Sequence, residues 1–351
     1  MSPLQHNLDT KTRPGELFKS LDGDDLLCTA CGHLCKLRPG QRGICKVRFN
    51  SDGTLLVPWQ YVAGLQNDPI EKKPFFHALP GSRALSFGML GCDFRCAYCQ
   101  NWFTSQSLKD DSATIRSTPV SAKDICDRAS DNNSEVVVST YNEPLITSEW
   151  AVEVFKEARQ RKLWTAYVSN GHATPEVLEY IGPWLDLMKI DLKSFSAKEY
   201  RRLGGNLDAV LETIQRVHEM GIWLELVTLL IPGYNDSDAE LSEIAKFIAG
   251  IAKDIPWHVT AFHPDYKMTD RKRTSAEILL RAWQHGKNAG LSFVYAGNLA
   301  GKVQNSENTY CPNCQQLLIE RVGFRVMSNH LKEDRCPGCQ NSIPGRWIKS
   351  S

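Results

Sequence analysis

Residues 83–102 read RALSFGMLGCDFRCAYCQNW. An apolar run of strand length is followed at once by Cys92, Cys96 and Cys99, spaced C-x3-C-x2-C, with the aromatic Tyr98 just before the third cysteine. Structural zinc closes its tetrahedron with four protein ligands, and an electron-transfer cluster normally takes four thiolates. Three thiolates on a short loop predict a metal centre with one position left open for a substrate or cofactor.

Beyond this loop the chain alternates β-rich apolar runs with amphipathic, helix-like segments. EVVVSTY precedes EWAVEVFKEARQRK, LWTAYVSN precedes PEVLEYIGPW, and DLMKIDLKS precedes LDAVLETIQRVHEMG. IWLELVTLLI, PWHVTAFHP and LSFVYAGN continue the series, with helical segments between them. Strand alternating with helix predicts an α/β chain with a parallel sheet and crossover helices, the first six strands forming a partial, TIM-like (β/α)6 barrel. Polar residues gather at the C-terminal strand ends: Asn142 and Glu143, Ser169 and Asn170, Asp191 and Lys193, His263, and Asn298. In barrels of this kind the active site lies at that face, which places the three-cysteine loop at the same mouth.

The composition sets limits on partners and location. The chain has 351 residues and a formal net charge of +1, so charge alone gives no argument for a nucleic-acid or membrane partner. The N-terminus lacks an apolar signal core, and the longest apolar runs are too short to span a bilayer. A cytoplasmic location is expected.

Eleven of the twelve cysteines fall in clusters, which in such a setting read as metal sites rather than disulfides. Cys126 stands alone in a helical stretch and reads as a small buried hydrophobe. Cys311, Cys314, Cys336 and Cys339 form two CxxC knuckles, the pattern of a zinc ribbon. Cys28, Cys31, Cys35 and Cys45 are spaced C-x2-C-x3-C-x9-C and could bind zinc or a second iron–sulfur cluster; His33 lies within the loop as a competing ligand. The expected organisation is a Cys-rich segment over 1–65, a linker over 66–82, the barrel over 83–300 and a four-cysteine module over 301–351. In the linker, Glu71, Lys72, Lys73 and His77 read either as a polar cluster covering the barrel end or binding substrate, or as a solvated loop with Phe75 and Phe76 pinned to the core.

The three-cysteine loop after the first barrel strand resembles the radical S-adenosylmethionine superfamily. That resemblance implies a [4Fe-4S] cluster on Cys92, Cys96 and Cys99, with S-adenosylmethionine on the open iron and Tyr98 near the adenine. It implies that Asn142 and Glu143 in TYNEP hold the methionine amino group and that Ser169 and Asn170 contact ribose or carboxylate. Asp191 beside the cofactor, catalytic roles for Lys193 and His263, and Ile231 and Gly233 of IPGYND at the adenine follow from the same resemblance. An electron donor such as flavodoxin or ferredoxin is the implied partner. The strings DPIEKKPFFHALPGS, TYNEP, IPGYND, PWHVTAFHPDYKM and VYAGN, together with the two flanking cysteine clusters, resemble the radical enzyme of the AmmeMemoRadiSam system, which implies Memo-like associated proteins as further partners.

Three functional classes follow. The first is a radical enzyme acting on a protein, RNA or small molecule. The second is an activase that installs a glycyl radical on a partner; it is similar in its barrel, but the N-terminal cysteines are not spaced like the ferredoxin insert some activases carry. The third is a non-catalytic metal-binding adaptor, which does not account for a barrel loop with three cysteines rather than four.

Overall fold

The structure, a computed structural model, describes residues 3–113, 115–303 and 305–348. Its central sheet has eight strands: β1 (Gly64–Pro69), β2 (Arg83–Gly88), β3 (Ser134–Ser139), β4 (Trp164–Ser169), β5 (Leu187–Asp191), β6 (Trp223–Leu230), β7 (Trp257–Ala261) and β8 (Val294–Gly297). They are ordered β8-β7-β6-β5-β4-β3-β2-β1, so sequence neighbours are sheet neighbours. The pairs β2–β3, β3–β4, β6–β7 and β7–β8 are parallel. Helices α1 (Ala122–Asp131), α2 (Ser148–Gln160), α3 (Pro175–Ile181), α4 (Ala197–Leu203) with α5 (Leu207–Glu219), α6 (Asp238–Ile251) and α7 (Ala276–Asn288) follow β2 to β7 in turn. This is the strand–helix repeat expected of a partial (β/α)6 barrel.

The local reasons are plain in the sequence. Val136, Val137 and Val138 of β3 are all fully buried, as a strand covered on both faces requires. In α5 the buried positions Leu207, Val210, Ile214 and Val217 recur at helical spacing. Ser121 caps α1 in a reciprocal box with Asp124, and Thr174, Asn206 and Ser237 cap α3, α5 and α6. No helix among the described residues is long and apolar enough to cross a membrane.

The chain divides into two compact units, residues 1–68, 83–188 and 197–222 in the first and 69–82, 189–196 and 223–351 in the second. The N-terminal Cys-rich segment belongs to the first. It is tied there by the fully buried pair of Arg48 and Glu149, with contacts of 2.6 and 2.8 Å. Glu149 also accepts the backbone N–H groups of Glu16 and Leu17, so the carboxylate organises two separate stretches.

Residues 66–82 differ from the solvated loop that was one sequence expectation. β1 takes their first part into the sheet edge, where the Ala63 N–H donates to Gly88 O at 2.7 Å. GLQNDP has no apolar alternation to announce a strand, and the strand is only partly buried. Phe75 and Phe76 are buried as expected, but so are Glu71, Lys73 and His77. The backbone N–H groups of Phe76 and His77 donate to Glu225. His77 Nδ1 donates to Pro344 O, which can only accept, leaving Nε2 to accept from the Tyr295 hydroxyl at 2.6 Å. Arg321 donates to Phe76 O and lies 3.9 Å from Glu71. Polar groups that look like loop surface are buried because their partners come from distant strands.

The C-terminal module carries a three-stranded antiparallel sheet, β9 (Thr309–Tyr310), β10 (Leu317–Val322) and β11 (Arg325–Asn329). Cys311 and Cys336 sit in an apolar cluster with Phe76, Phe293, Leu318 and Ile343.

Candidate functional site

In the first unit, the loop after β2 is held by its backbone. Gly91 has φ +95°, and a Cβ there would stand 2.9 Å from Cys45 O, so this turn requires glycine. Its N–H donates to Thr104 O, and its carbonyl receives the Glu143 N–H. Lys109 donates its ammonium to the carbonyls of Cys92 and Phe94, which ties down the turn carrying the first cysteine. The Phe94 N–H donates to Cys92 Sγ at 3.4 Å, and the Ser105 hydroxyl lies 3.2 Å from Cys99 Sγ. Burial, then the charge of Asp93, pushes the Cys92 thiol well above its ordinary value. Loading a metal there must therefore release a proton.

Among the described residues, two groups have three or more metal-capable side chains with ligand atoms all within 4.8 Å: Cys311 with Cys314, Cys336 and Cys339, and Cys31 with Asp93 and His172. In the first group Cys311 and Cys339 sulfurs are 3.6 Å apart, as are those of Cys314 and Cys336. A tetrahedral ion with metal–sulfur bonds of about 2.3 Å needs sulfurs about 3.8 Å apart, so this set fits one small ion. The Asn313 side chain and the Asn341 N–H lower the Cys339 thiol to about 6.

A chain of buried polar groups adjoins that loop. Gly88 lets the TYNEP turn come close, since a Cβ there would meet Thr140 O at 2.4 Å. Asn142 accepts the Met89 N–H at 2.9 Å and donates to Glu143 O. Glu143 accepts from the Ser169 hydroxyl at 2.6 Å, the Asn170 N–H at 2.8 Å and the Leu145 N–H at 3.1 Å. Burial and then the charge of Asp93 nevertheless raise its carboxyl to about 8. Asn170 donates to Asp93 at 2.7 Å, and the other Asp93 oxygen meets His172 Nδ1 at 2.9 Å. Burial opposes ionisation of Asp93, but its bonds to His172 and Asn170 outweigh it and hold the carboxyl below its ordinary range.

Tyr98, Asn142, Glu143, Ser169 and Asn170 are thus buried in the same unit as the three cysteines, and hydrogen bonds join Glu143, Ser169 and Asn170 directly. The remaining candidates lie in the second unit. Asp191 at the end of β5 contacts Lys189 and, at 3.2 Å, Lys193. Burial works against its charge, yet the two ammonium groups draw it down to about 2. In IPGYND the N–H of Ile231 donates to Asn235 and that of Gly233 to Asp236, while Arg271 covers the carbonyls of Pro232 and Gly233. The two N–H groups are engaged within the turn itself, and the two carbonyls by Arg271. His263 is 47% exposed and 4.0 Å from Asp265.

Asp93 and His172 escaped sequence reading, although both lie inside or beside quoted motifs. The available signal was slight: an acid directly after a cluster cysteine, and a histidine two residues past Asn170, whose side chain accepts the His172 N–H in a local turn. Of the N-terminal cysteines, Cys35 and Cys45 both have sulfurs within 3.7 Å of the position a Gly43 Cβ would take, and Arg48 donates to Cys28 Sγ at 3.3 Å. His33 meets Asp93 O at 3.3 Å and packs edge-on to His172.

Comparison with known proteins adds context. The Radical SAM superfamily model matches residues 88–248. An uncharacterized protein of Methanocaldococcus jannaschii is 35% identical over 336 residues, 94% of this chain and 98% of the relative. The pyruvate formate-lyase-activating enzyme of Streptococcus mutans is 23% identical over 52% of this chain and 72% of its own. The isethionate sulfite-lyase activating enzyme of Oleidesulfovibrio alaskensis is 24% identical over 39% of this chain and 46% of its own, so less than half of that relative is spanned.

Proposed function

The chain belongs to the radical SAM superfamily and is an enzyme of that class, and from this premise we propose that Cys92, Cys96 and Cys99 hold a [4Fe-4S] cluster whose open iron takes S-adenosylmethionine. When bound, the reduced cluster would supply one electron to the sulfonium of S-adenosylmethionine, chemistry that would yield methionine and a 5'-deoxyadenosyl radical able to remove a hydrogen atom from a substrate. The observation that carries the reading is the buried carboxyl of Glu143, held by the Ser169 hydroxyl and the Asn170 N–H on a turn whose backbone is bonded to the cysteine loop at Gly91. A carboxyl so placed gives up its proton most readily when a cation arrives, and the ammonium of a methionine group is such a cation. Asn142 fixes the turn against Met89, while Ser169 and the Asn170 N–H aim the carboxylate. Tyr98 packs at the adenine side. The superfamily resemblance alone assigns Asp191, Ile231 and Gly233 to the adenosine and Lys193 and His263 to the substrate. The C-terminal cysteines hold structural zinc, and a flavodoxin- or ferredoxin-like protein delivers the electron.

A second reading, activation of a partner enzyme by installing a glycyl radical, is favoured by the activating enzymes among the relatives. Memo-like proteins are the partners that the AmmeMemoRadiSam resemblance favours.

The test is anaerobic reconstitution with iron and sulfide, followed by S-adenosylmethionine and a strong reductant, with 5'-deoxyadenosine measured by mass spectrometry. Formation that is lost in Cys96→Ala supports the reading. No product from protein shown to carry its cluster would refute it.

A further inference from the structure

His172 is 1% exposed, and its two ring nitrogens have different fates. Nδ1 is 2.9 Å from Asp93 Oδ2, and Asp93 Oδ1 is in turn held by the Asn170 amide at 2.7 Å. Nε2 is buried with no hydrogen-bond partner. A buried imidazole nitrogen left unsatisfied costs free energy unless something accepts its lone pair or takes its proton. The surroundings offer a metal ion as that partner. A ring nitrogen of His172 and the sulfur of Cys31 lie within 4.8 Å of each other and of an Asp93 oxygen, all three residues being buried. The loop of Cys31 is pressed against the imidazole: the Gly32 N–H donates to His172 O at 2.8 Å, and a Cβ on Gly32 would stand 2.7 Å from Nε2.

A carboxylate on one imidazole nitrogen, with the other nitrogen unpartnered and a buried thiol close to the ring, is the arrangement by which proteins orient a metal-binding histidine. Both Asp93 oxygens are engaged, so Asp93 positions the ring rather than filling a coordination site. We propose that the N-terminal cysteines bind a zinc-type divalent ion not as an all-cysteine set but with His172 Nε2 beside Cys31 Sγ as ligands. A mixed sulfur and nitrogen set suits zinc, with ligand atoms about 3.6 Å apart. The site would join the N-terminal segment to the residue after β4, and Asp93, next to Cys92, would link it to the cysteine loop.

The test uses the full chain expressed with zinc and without cluster reconstitution, so that it stands apart from the radical assay. Wild type, His172→Gln and Cys31→Ser are compared for zinc by mass spectrometry of the metal. Each variant is expected to hold about one zinc ion fewer per chain than wild type, while the C-terminal module keeps its own. Equal zinc in wild type and folded His172→Gln would overturn the proposal, as would a wild-type N-terminal site filled only by iron. Should the variants fail to fold, the cobalt-loaded wild type with 15N-labelled histidine decides. A hyperfine-shifted, exchangeable imidazole N–H is expected from the Nδ1–H beside Asp93. A spectrum with cobalt bound but no such signal would refute histidine ligation.

Discussion

The cysteine loop after β2 and the C-terminal module both present closely spaced thiols, yet they are built for opposite ends. In the C-terminal module four sulfurs face one another, two pairs at 3.6 Å, and an apolar cluster surrounds two of them. That set is complete in itself. In the barrel loop Phe94 donates to Cys92 and the Ser105 hydroxyl lies against Cys99, and a positive-φ glycine and Lys109 hold the backbone, while a buried acid stands on the adjoining turn. Four ligands can make a metal part of the fold; three, beside a carboxyl that burial disfavours ionising until a cation arrives, would leave a metal chemistry to do.

The contrast breaks most sharply under single cysteine changes. Cys96→Ala is expected to reduce 5'-deoxyadenosine to the level of a no-protein control while leaving the melting of the second unit unchanged. Cys311→Ala should instead lower the melting temperature of the second unit, by on the order of 10 °C, because structural metal contributes folding energy directly. Calorimetry with and without chelator reads the difference.

The buried network around His77 sharpens the structural side. Burial, offset only in part by Glu225, lowers His77 to about 4. The unfolded chain has an ordinary value of about 6.5, so between these pH values protons bind the unfolded state preferentially. Stability from this group is therefore complete above pH 6.5 or so and is lost as pH falls toward 4, by about 3 kcal/mol. Denaturant titrations of wild type and His77→Gln across that window should show the slope in the wild type alone.

Glu143→Gln keeps the shape of the turn but removes the negative charge, and should weaken S-adenosylmethionine binding by about 2 kcal/mol, roughly 30-fold, in calorimetric titration of the cluster-loaded protein. The smallest effect belongs to Ser105→Ala. Loss of a donor to a ligand sulfur disfavours the reduced state, so a redox titration should move the cluster potential negative by about 40 mV, equivalent to a hydrogen bond worth about 1 kcal/mol.

Much of this was legible in sequence because it is periodic or locally spaced. The valine run of β3, the helical stripe of α5 and the CxxC knuckles each declare themselves within a short window. Glu143, Ser169 and Asn170 were found because strand ends are where such sheets gather polar groups. The burial of His77 was hidden because what satisfies it comes from Glu225, Tyr295 and Pro344, none of them nearby in the chain. His172 was hidden for the same reason: nothing within its own segment shows that Asp93 will occupy one nitrogen and bury the other.

The placement of Phe76 has a consequence for biosynthesis. Its carbonyl receives Arg321, 245 residues later, and its N–H waits for Glu225, 149 residues later. On a ribosome the segment over 69–82 emerges early and remains without these partners until almost the whole chain has been made. Contacts so remote close slowly and leave apolar groups such as Phe75 and Phe76 exposed in the meantime. Completion of the second unit thus waits on residues as late as Arg321, and nascent chains stopped before it should hold this segment open to protease while the first unit is already protected.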